Sequence, residues 1–244
     1  MVKLVSQKRK ILFIHHSTGA NLIKEGKVRI EIEKLEPTLE FWDHSYNLYP
    51  YLSHLLAKFT YHTGLTDFKG RITGKDFNIA LSNNSPREYA EIFSRDPTDP
   101  TLKQILDFDV IAFKNCYPTT KITSDQQLEE DKRYYQQIRD SVGRYKDKKF
   151  VLLTPPPSNK AINTLENAQR AKKLVEWLNS REFIKNVTNL YIFDFFSYLA
   201  EENGLLRKDY CRFIPLDSHP NLKANKELGP MFAKYLIKVT RYLT

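Results

Sequence analysis

Cysteine is scarce in this chain, and its scarcity limits both the fold and the chemistry. Only Cys116 and Cys211 occur among the 244 residues. Two cysteines are too few for a disulfide framework, and their separation does not match a metal-binding CxxC pair. We therefore expect both thiols to be reduced and to pack as small buried side chains.

Long apolar runs are also absent from the sequence. No stretch approaches the roughly 20 apolar residues that a transmembrane helix needs. The first ten residues lack the apolar core of a secretory signal peptide. Together these absences predict a protein of the cytoplasm.

Acidic residues are outnumbered by basic ones, 29 against 38, which gives a formal net charge of +9. Such a balance favours an anionic partner such as nucleic acid, a membrane surface or a charged substrate. However, the basic residues are spread along the chain, and no nucleic-acid-binding motif accompanies them. We therefore expect a solvated, mildly basic surface with no nucleic-acid or membrane partner. The oligomeric state stays open.

Short apolar runs alternate with longer helical patterns along the chain. This alternation predicts an α/β fold in three layers, with a mostly parallel sheet of about five strands between helices. The length and the ordinary apolar content of 41% predict a single domain over residues 1–244. The predicted strands are residues 11–14, 110–113, 150–153 and 190–193, with weaker candidates at 39–42 and 77–81.

Helical spacing marks three further stretches. Ser124 followed by Gln127 indicates a capping box, and apolar residues recur at helical spacing after it. The same spacing predicts helices over residues 165–178 and 228–239. Segment 43–109 is different, because it is rich in Tyr, Phe, Asn, Pro and Gly and carries little period. We expect it to form loops or short helices over the active face.

Side chains with catalytic potential stand at the ends of predicted strands. Ser17 follows the first strand, Asn115 follows strand 110–113, and Asp217 and His219 precede the last helix. Open α/β sheets bind ligands at the carboxyl ends of their strands. A hydroxyl becomes a good nucleophile when a neighbouring base takes its proton, and the resulting oxyanion needs fixed donors. These residues supply such groups.

The same residues also have purely structural interpretations. Ser17 is placed to cap the helix that follows it. His219, beside Pro220, is placed to form the polar start of the C-terminal helix. Asn115 can bond to a loop backbone. The sequence alone leaves these alternatives open.

The order of these segments resembles that of the SGNH (GDSL-type) hydrolases. The resemblance extends over roughly residues 11–236. It implies a flavodoxin-like SGNH hydrolase fold, with Ser17 as the nucleophile and His219 as the general base. It further implies that the Ser17 backbone N–H and the Asn115 side-chain amide hold the oxyanion.

Two positions depart from the family pattern near the predicted oxyanion site. His15 and His16 stand where the family has Gly-Asp before the serine. Leu81 stands where the family has a glycine whose N–H binds the oxyanion, and Asn83 lies close by. We therefore include Asn83 among the oxyanion donors, with Ser17 and Asn115.

A third departure concerns the orienting acid. The family acid stands three residues before the histidine, and Leu216 occupies that position here, whereas Asp217 stands two before it. We expect Asp217 or another acid to substitute, or Ser17 and His219 to act as a dyad. Loss of the acid costs about 10⁴ in turnover in the serine-protease template. A catalytically degenerate binding protein of the same fold is therefore one alternative.

The predicted function is serine-dependent hydrolysis of an acyl or acetyl ester, without a cofactor. The substrate would be a small-molecule ester or a carbohydrate ester. His16, Lys114 and Tyr117 are expected to bind it, with Lys114 flanking the cleft and favouring an anionic group. The other alternative is a metal-dependent hydrolase, since imidazole and carboxylate groups suit divalent metals. Its ligands would be His15, His16, Asp217 and His219.

Overall fold

A six-stranded sheet forms the centre of the molecule. The computed structural model describes residues 8–48, 63–82 and 84–242. In this part of the chain five neighbouring strands run parallel and one edge strand runs antiparallel. From edge to edge the order is β4 (Gly64–Thr66), β2 (Glu40–Ser45), β1 (Lys10–His15), β6 (Val110–Phe113), β7 (Lys149–Leu153) and β8 (Leu190–Phe193).

Helices cover both faces of this sheet. Two further short strands, β3 (Asn47–Leu48) and β5 (Ala80–Leu81), pair with each other in a separate sheet. Within the described ranges the α-helices are α1 (Ser17–Lys24), α2 (Val28–Leu35), α3 (Arg87–Ser94), α4 (Pro100–Leu106), α5 (Asp125–Val142), α6 (Leu165–Leu178), α7 (Phe195–Leu199) and α8 (Leu222–Thr240). None of them combines the length and the apolarity that a bilayer crossing requires.

Alternate residues of β1 point into two separate cores. Ile11 and Phe13 pack with residues of α1, α2 and α8, whereas Leu12 and Ile14 pack with residues of α3 to α6. All four side chains are fully buried. Burial on both faces is typical of parallel sheets and explains why these strands read as continuous apolar runs. The predicted α/β fold with a mostly parallel sheet between helices is confirmed.

The predicted strands agree with the observed ones in all but the least regular region. β6 and β8 have the predicted bounds, and β1 and β7 contain the predicted residues. β2 starts one residue later than predicted and extends to Ser45. Of the weak candidate at 77–81, only Ala80 and Leu81 form a strand, and it lies outside the main sheet.

Side-chain caps fix where the long helices begin. The Ser124 hydroxyl accepts the Gln127 backbone N–H at 3.1 Å, as predicted for the start of α5. The Asn221 carboxamide oxygen likewise accepts the Ala224 N–H at 3.1 Å and begins α8. His219 therefore lies before the helix and not in it, so its interpretation as the helix start is wrong.

Segment 43–109 is more regular than its composition indicated. It contains strands β3, β4 and β5 and helices α3 and α4. Residues 49–62 and 83 lie outside the described residues. Whether the segment covers the active face therefore stays a prediction, and so does the assignment of the chain to a single domain.

Candidate active site

The strand order brings the carboxyl ends of β1 and β6 side by side. From β1 the chain crosses to β2 on one side of it and later returns to β6 on the other side. The two strands therefore form a topological switch point, where open α/β sheets bind ligands. Ser17 begins the helix after β1, and Asn115 follows β6, so both lie at this point.

Ser17 is buried and is the first residue of α1. The N-cap of that helix is His16, whose side chain makes no capping hydrogen bond. The Ser17 Oγ instead lies 2.7 Å from Nε2 of His219, 202 residues later in the chain. The interpretation of Ser17 as the helix cap is therefore wrong.

Asp217 reaches the imidazole although it stands only two residues before it. Its Oδ1 lies 2.5 Å from Nδ1 of His219 and also accepts the His219 backbone N–H at 2.8 Å. One carboxylate oxygen thus binds the backbone and the ring of the same residue. Leu216, at the family's acid position, is exposed. Ser17, His219 and Asp217 form a continuous chain of hydrogen bonds.

The loop that carries Asp217 and His219 is anchored on the loop after β7. The Asn159 carboxamide donates to the carbonyls of Pro215 and Asp217, at 2.8 and 3.0 Å. The Asn159 backbone N–H donates to the buried Ser218 hydroxyl at 2.9 Å. These bonds hold the loop backbone on both sides of Asp217, so they fix the direction of its carboxylate.

The environment keeps the imidazole neutral and the carboxylate ionised. Burial lowers the pKa of His219, and the charges of Arg212 and Lys114 lower it further. The hydrogen bond and the charge of Asp217 raise this pKa but do not offset the burial. Burial raises the pKa of Asp217, but the hydrogen bonds from His219 outweigh it and bring that pKa below its ordinary value. An Nδ1–H bound to the carboxylate leaves Nε2 as the acceptor that faces Ser17. A general base needs this arrangement.

Two of the three predicted oxyanion donors can be placed. The Ser17 N–H lies in the first turn of α1, where helix N–H groups lack intrahelical partners and the helix dipole is positive. The buried Asn115 carboxamide donates to the Ser85 carbonyl at 3.0 Å, which uses one of its two N–H groups. Asn83 lies outside the described residues, and Leu81 is in β5.

Lys114 does not flank the cleft, which corrects the sequence-based expectation. Its side chain is fully buried and its Nζ donates to the Asn115 carbonyl at 3.0 Å. It therefore makes no contact with a substrate in the cleft. Burial lowers its pKa, and the thiol of Cys116 opposes that effect. Within the described residues, no carboxylate lies within ion-pair distance of it.

Cys116 contributes a buried thiol directly beneath the serine. Its Sγ lies 3.0 Å from the Thr18 hydroxyl and 3.7 Å from the Ser17 hydroxyl. Burial raises the pKa of this thiol, but the Lys114 charge and the hydrogen bond from Thr18 outweigh it and lower the pKa overall. Neither cysteine is in a disulfide, as predicted, although Cys211 is only half-buried.

His16 and Tyr117 frame the hydrogen-bonded chain. The His16 ring packs against Tyr46, with centroids 5.3 Å apart, and burial lowers its pKa to about 3. The Tyr117 ring meets the His219 ring edge-on, with centroids 5.2 Å apart. Tyr117 therefore restrains the imidazole. A substrate-binding role for His16 and Tyr117 stays a prediction.

The residues proposed as metal ligands do not form a ligand set. His15 is buried under α1, and its Nε2 lies 3.0 Å from Asp43, which Arg29 also contacts. Its other ring nitrogen lies 3.0 Å from the His16 carbonyl. Across residues 8–48, 63–82 and 84–242, no three His, Cys, Asp or Glu side chains are grouped to hold an ion. The metal-hydrolase alternative therefore lacks its ligands in this part of the chain.

Sequence reasoning missed the residues that support the site from a distance. Thr18, Asn159 and Ser218 were not singled out, and Cys116 was interpreted only as a small buried side chain. Asn159 follows the three prolines after β7, so a polar residue near the end of a parallel strand was an available signal. Thr18 and Ser218 gave no separate signal, because each stands directly beside a residue to which the sequence pattern had already given a catalytic role.

The chain is similar to solved structures of ester hydrolases over nearly its whole length. A carbohydrate esterase of family 3 from Talaromyces cellulolyticus is 13% identical, with a TM-score of 0.54 and coverage of 97% of this chain and 100% of that chain. A GDSL-like lipase from Bacteroides thetaiotaomicron is 11% identical, with a TM-score of 0.53 and coverage of 98% and 92%. Est24, a carbohydrate acetylesterase from Sinorhizobium meliloti, is 12% identical, with a TM-score of 0.52 and coverage of 95% and 100%.

These similarities define the fold. No protein-family model matches the sequence, and no curated protein is significantly similar to it. The sheet order, the switch point and the structural neighbours agree in giving the chain the SGNH hydrolase fold. The predicted resemblance is therefore confirmed at the level of the fold alone.

Proposed function

We propose that this protein is a serine-dependent ester hydrolase. The observation that carries the proposal is the hydrogen-bonded chain from the Ser17 hydroxyl through His219 to Asp217, at the switch point of the sheet. A serine, an imidazole and a carboxylate in this order are the groups that activate a hydroxyl for acyl transfer. The esterases and lipases among the structural neighbours support the same reaction class.

In the first step Ser17 attacks the ester carbonyl. Nε2 of His219 accepts the hydroxyl proton, and Asp217 stabilises the imidazolium that forms. The negative charge that develops on the carbonyl oxygen is held by the Ser17 N–H and the Asn115 carboxamide. The imidazolium then donates its proton to the leaving alcohol, which leaves an acyl group on Ser17.

In the second step water replaces the alcohol. His219 accepts a proton from the water, the hydroxide attacks the acyl-serine, and the proton returns to Ser17 as the carboxylic acid leaves. The reaction is complete with these side chains and needs no cofactor. The acyl or acetyl ester of a small molecule or carbohydrate is the proposed substrate class, since two of the neighbours act on carbohydrates.

Substitution of the serine and the histidine tests this proposal. Wild type, Ser17→Ala and His219→Ala would be assayed on p-nitrophenyl acetate and butyrate, with and without EDTA. We expect each substitution to lower kcat by at least about 10³-fold, with no effect of EDTA. Ser197→Ala, at an exposed serine on α7, is the matched control and should retain wild-type activity.

A fluorophosphonate probe provides a second readout, because it labels an activated serine without turnover. Labelling of wild type and not of Ser17→Ala would support the nucleophile directly. If folded wild type neither turned over esters nor reacted with the probe, the proposal would fail. The degenerate binding protein would then be favoured. Activity abolished by EDTA would instead favour a metal-dependent enzyme.

A further inference from the structure

A run of three prolines makes the loop after β7 stiff. The prolines are residues 155–157, and all of them are buried. Proline fixes its own φ and restricts the residue before it, so this backbone has little freedom. The run leads into Ser158 and Asn159, which are buried although both are polar. Polar groups in a protein interior are paired, so the partners of these two residues indicate what the stiff segment holds.

Every polar group of the Asn159 side chain is used. The carboxamide nitrogen donates to the Pro215 and Asp217 carbonyls at 2.8 and 3.0 Å. The carboxamide oxygen accepts the Ala161 N–H at 2.9 Å, and the Asn159 backbone N–H donates to the Ser218 hydroxyl at 2.9 Å. Because the nitrogen faces two carbonyls and the oxygen faces an N–H, one orientation of the amide satisfies all these partners. Three of these four bonds go to the loop that carries the proposed catalytic acid.

The position of Asp217 makes this support necessary. An acid two residues before the histidine has less backbone in which to turn back towards the ring than one three residues before it. The Asp217 Oδ1 nevertheless lies 2.8 Å from the backbone N and 2.5 Å from Nδ1 of His219. An aspartate side chain is short, so both contacts depend on the backbone turn at these residues. Asn159 holds the carbonyls at 215 and 217, and it thereby fixes this turn.

The neighbouring Ser158 holds the other side of the acid–base pair. Its hydroxyl donates to the Tyr117 carbonyl at 3.0 Å and lies 3.0 Å from the Thr120 hydroxyl. The Tyr117 ring meets the His219 ring edge-on, with centroids 5.2 Å apart. Two adjacent residues at the end of the proline run therefore bind the loop that carries the acid and the loop that packs against the base.

We propose that Asn159 is a positioning residue for Asp217, because it holds the turn through which the displaced acid reaches the imidazole. The inference rests on the proposed function, since the direction of Asp217 affects a rate only where Ser17 and His219 act on an ester. Asn159 acts through Asp217 and not on the ester. Under a solely structural role, Asn159 would contribute to stability and not to the contact between Asp217 and His219.

A double-mutant cycle on p-nitrophenyl acetate tests whether Asn159 acts through the acid. The proteins would be wild type, Asn159→Ala, Asp217→Ala and the double variant. We expect Asn159→Ala to lower kcat about 10²-fold and to change KM by less than about twofold, because the acid is misdirected while the cleft is intact. In the Asp217→Ala background the same substitution should lower kcat by less than about threefold, since the carboxylate that it positions is absent.

Asn189→Ala is the matched control. Asn189 is buried directly before β8, at the end of the sheet opposite the candidate active site. Its carboxamide also donates to two backbone carbonyls, those of Val142 and Tyr145, at 2.9 and 2.8 Å. Urea unfolding should show a similar loss of stability in Asn159→Ala and Asn189→Ala. Only Asn159→Ala should lose kcat.

The pKa of His219, measured by NMR titration of its ring, separates positioning from loosening without any turnover. Asp217 raises this pKa, whereas burial lowers it. Loss of the Asp217 contact alone therefore lowers the pKa further, while a loosened loop that admits water raises it towards its ordinary value. The charges of Arg212 and Lys114 also lower the pKa and are present in every variant. We expect a lower His219 pKa in Asn159→Ala and an unchanged one in the control.

Several results would overturn the positioning role. They are wild-type kcat in Asn159→Ala, additive losses in the cycle, a raised His219 pKa in Asn159→Ala, and an equal loss of kcat in Asn189→Ala. If Asn159→Ala does not fold, Ser218→Ala removes only one bond to the loop and should lower kcat and the His219 pKa by smaller amounts. Unchanged values in folded Ser218→Ala would then contradict the proposal. A wild type that hydrolyses no ester would refute the proposed function, and the titration would still show whether Asn159 holds the acid against the ring.

Discussion

Lys114 is a charged side chain that the fold has removed from water. Its ammonium group lies behind the strand end that carries Asn115, and its charge lowers the pKa of both His219 and His16. Its nitrogen donates to the carbonyl of Asn115, the residue proposed to hold the oxyanion. Desolvation of a charge is costly, so a lysine here needs compensation, which the neighbouring Cys116 thiol supplies.

Lys114→Met should therefore change the site more than the fold. Removal of the positive charge raises the pKa of His219, so the acid limb of kcat/KM shifts to higher pH. Loss of the bond to Asn115 should also lower the plateau by about tenfold. Lys121→Met, at an exposed position just after the same region, is the control and should leave the profile unchanged. An unchanged pH profile in Lys114→Met would show that the charge of Lys114 does not affect the pKa of His219.

The pH dependence of wild type follows from the direction of the His219 pKa. Only the neutral imidazole accepts the Ser17 proton, and burial lowers the His219 pKa from its ordinary value. We expect kcat/KM to rise with pH through a midpoint below about 6.5 and to be constant near neutrality. A profile from about pH 4 to pH 9 measures this. A midpoint above the ordinary value would contradict the burial argument.

Asp217→Asn is the companion variant. The Asp217 carboxylate raises the pKa of His219, so its removal should move the acid limb to still lower pH. The plateau should fall by up to about 10⁴, because a carboxamide no longer holds the imidazole in the tautomer whose Nε2 accepts the Ser17 proton. Equal activity in Asp217→Asn and wild type would leave Ser17 and His219 as a dyad.

At the scale of elements, α8 packs against the turn after α1 at a pair of glycines. A Cβ on Gly229 of α8 would lie 2.0 Å from the carbonyl oxygen of Gly26, which follows α1. The helix can approach this closely only without a side chain. Next to this contact, Glu25 binds both Arg212 and Asn225, at 2.9 and 2.7 Å. The glycine contact therefore places α8 and the segment that carries Arg212.

Gly229→Ala should destabilise the protein although alanine favours helices. The added methyl group forces α8 from α1, and overpacking of this kind costs about 1–3 kcal/mol. This exceeds the gain of up to about 1 kcal/mol from helix propensity. Urea unfolding would measure the loss, with Lys226→Ala on the exposed side of α8 as the control. Greater stability of Gly229→Ala would mean that the helices separate without cost.

Elements differ in how well their sequences predicted them. The strands β1, β6, β7 and β8 are buried on both faces, so their apolar runs were sufficient to predict them from the sequence. The edge strand β4, with the residues Gly-Leu-Thr, has no such run and was missed.

The orienting acid could not be located from a family motif alone. The family's spacing indicates position 216, which is a leucine here, whereas the turn of this loop lets Asp217, one residue later, reach the imidazole. Turn geometry of this kind depends on bonds to Asn159, which is distant in sequence.

At the scale of the molecule, strand order determines which residues can act together. The order of segments along the chain predicted that Ser17, Asn115 and His219 would meet, because parallel strands present their carboxyl ends at one edge. It did not predict the buried layer of Lys114, Cys116 and Thr18, because burial of a lysine depends on packing from several elements. It also could not show that Leu216, at the family's acid position, is exposed.

The bond between Ser17 and His219 has a consequence for how the protein is made. The two residues are 202 positions apart, so during synthesis Ser17 is made roughly 10 to 40 s before His219, at ordinary rates of chain growth. Throughout that interval the nascent chain holds a hydroxyl with no imidazole to activate it. A ribosome that stalls before the last helix would release a product that cannot attack an ester. Catalytic competence would thus appear only after the loop that carries His219 has been synthesised.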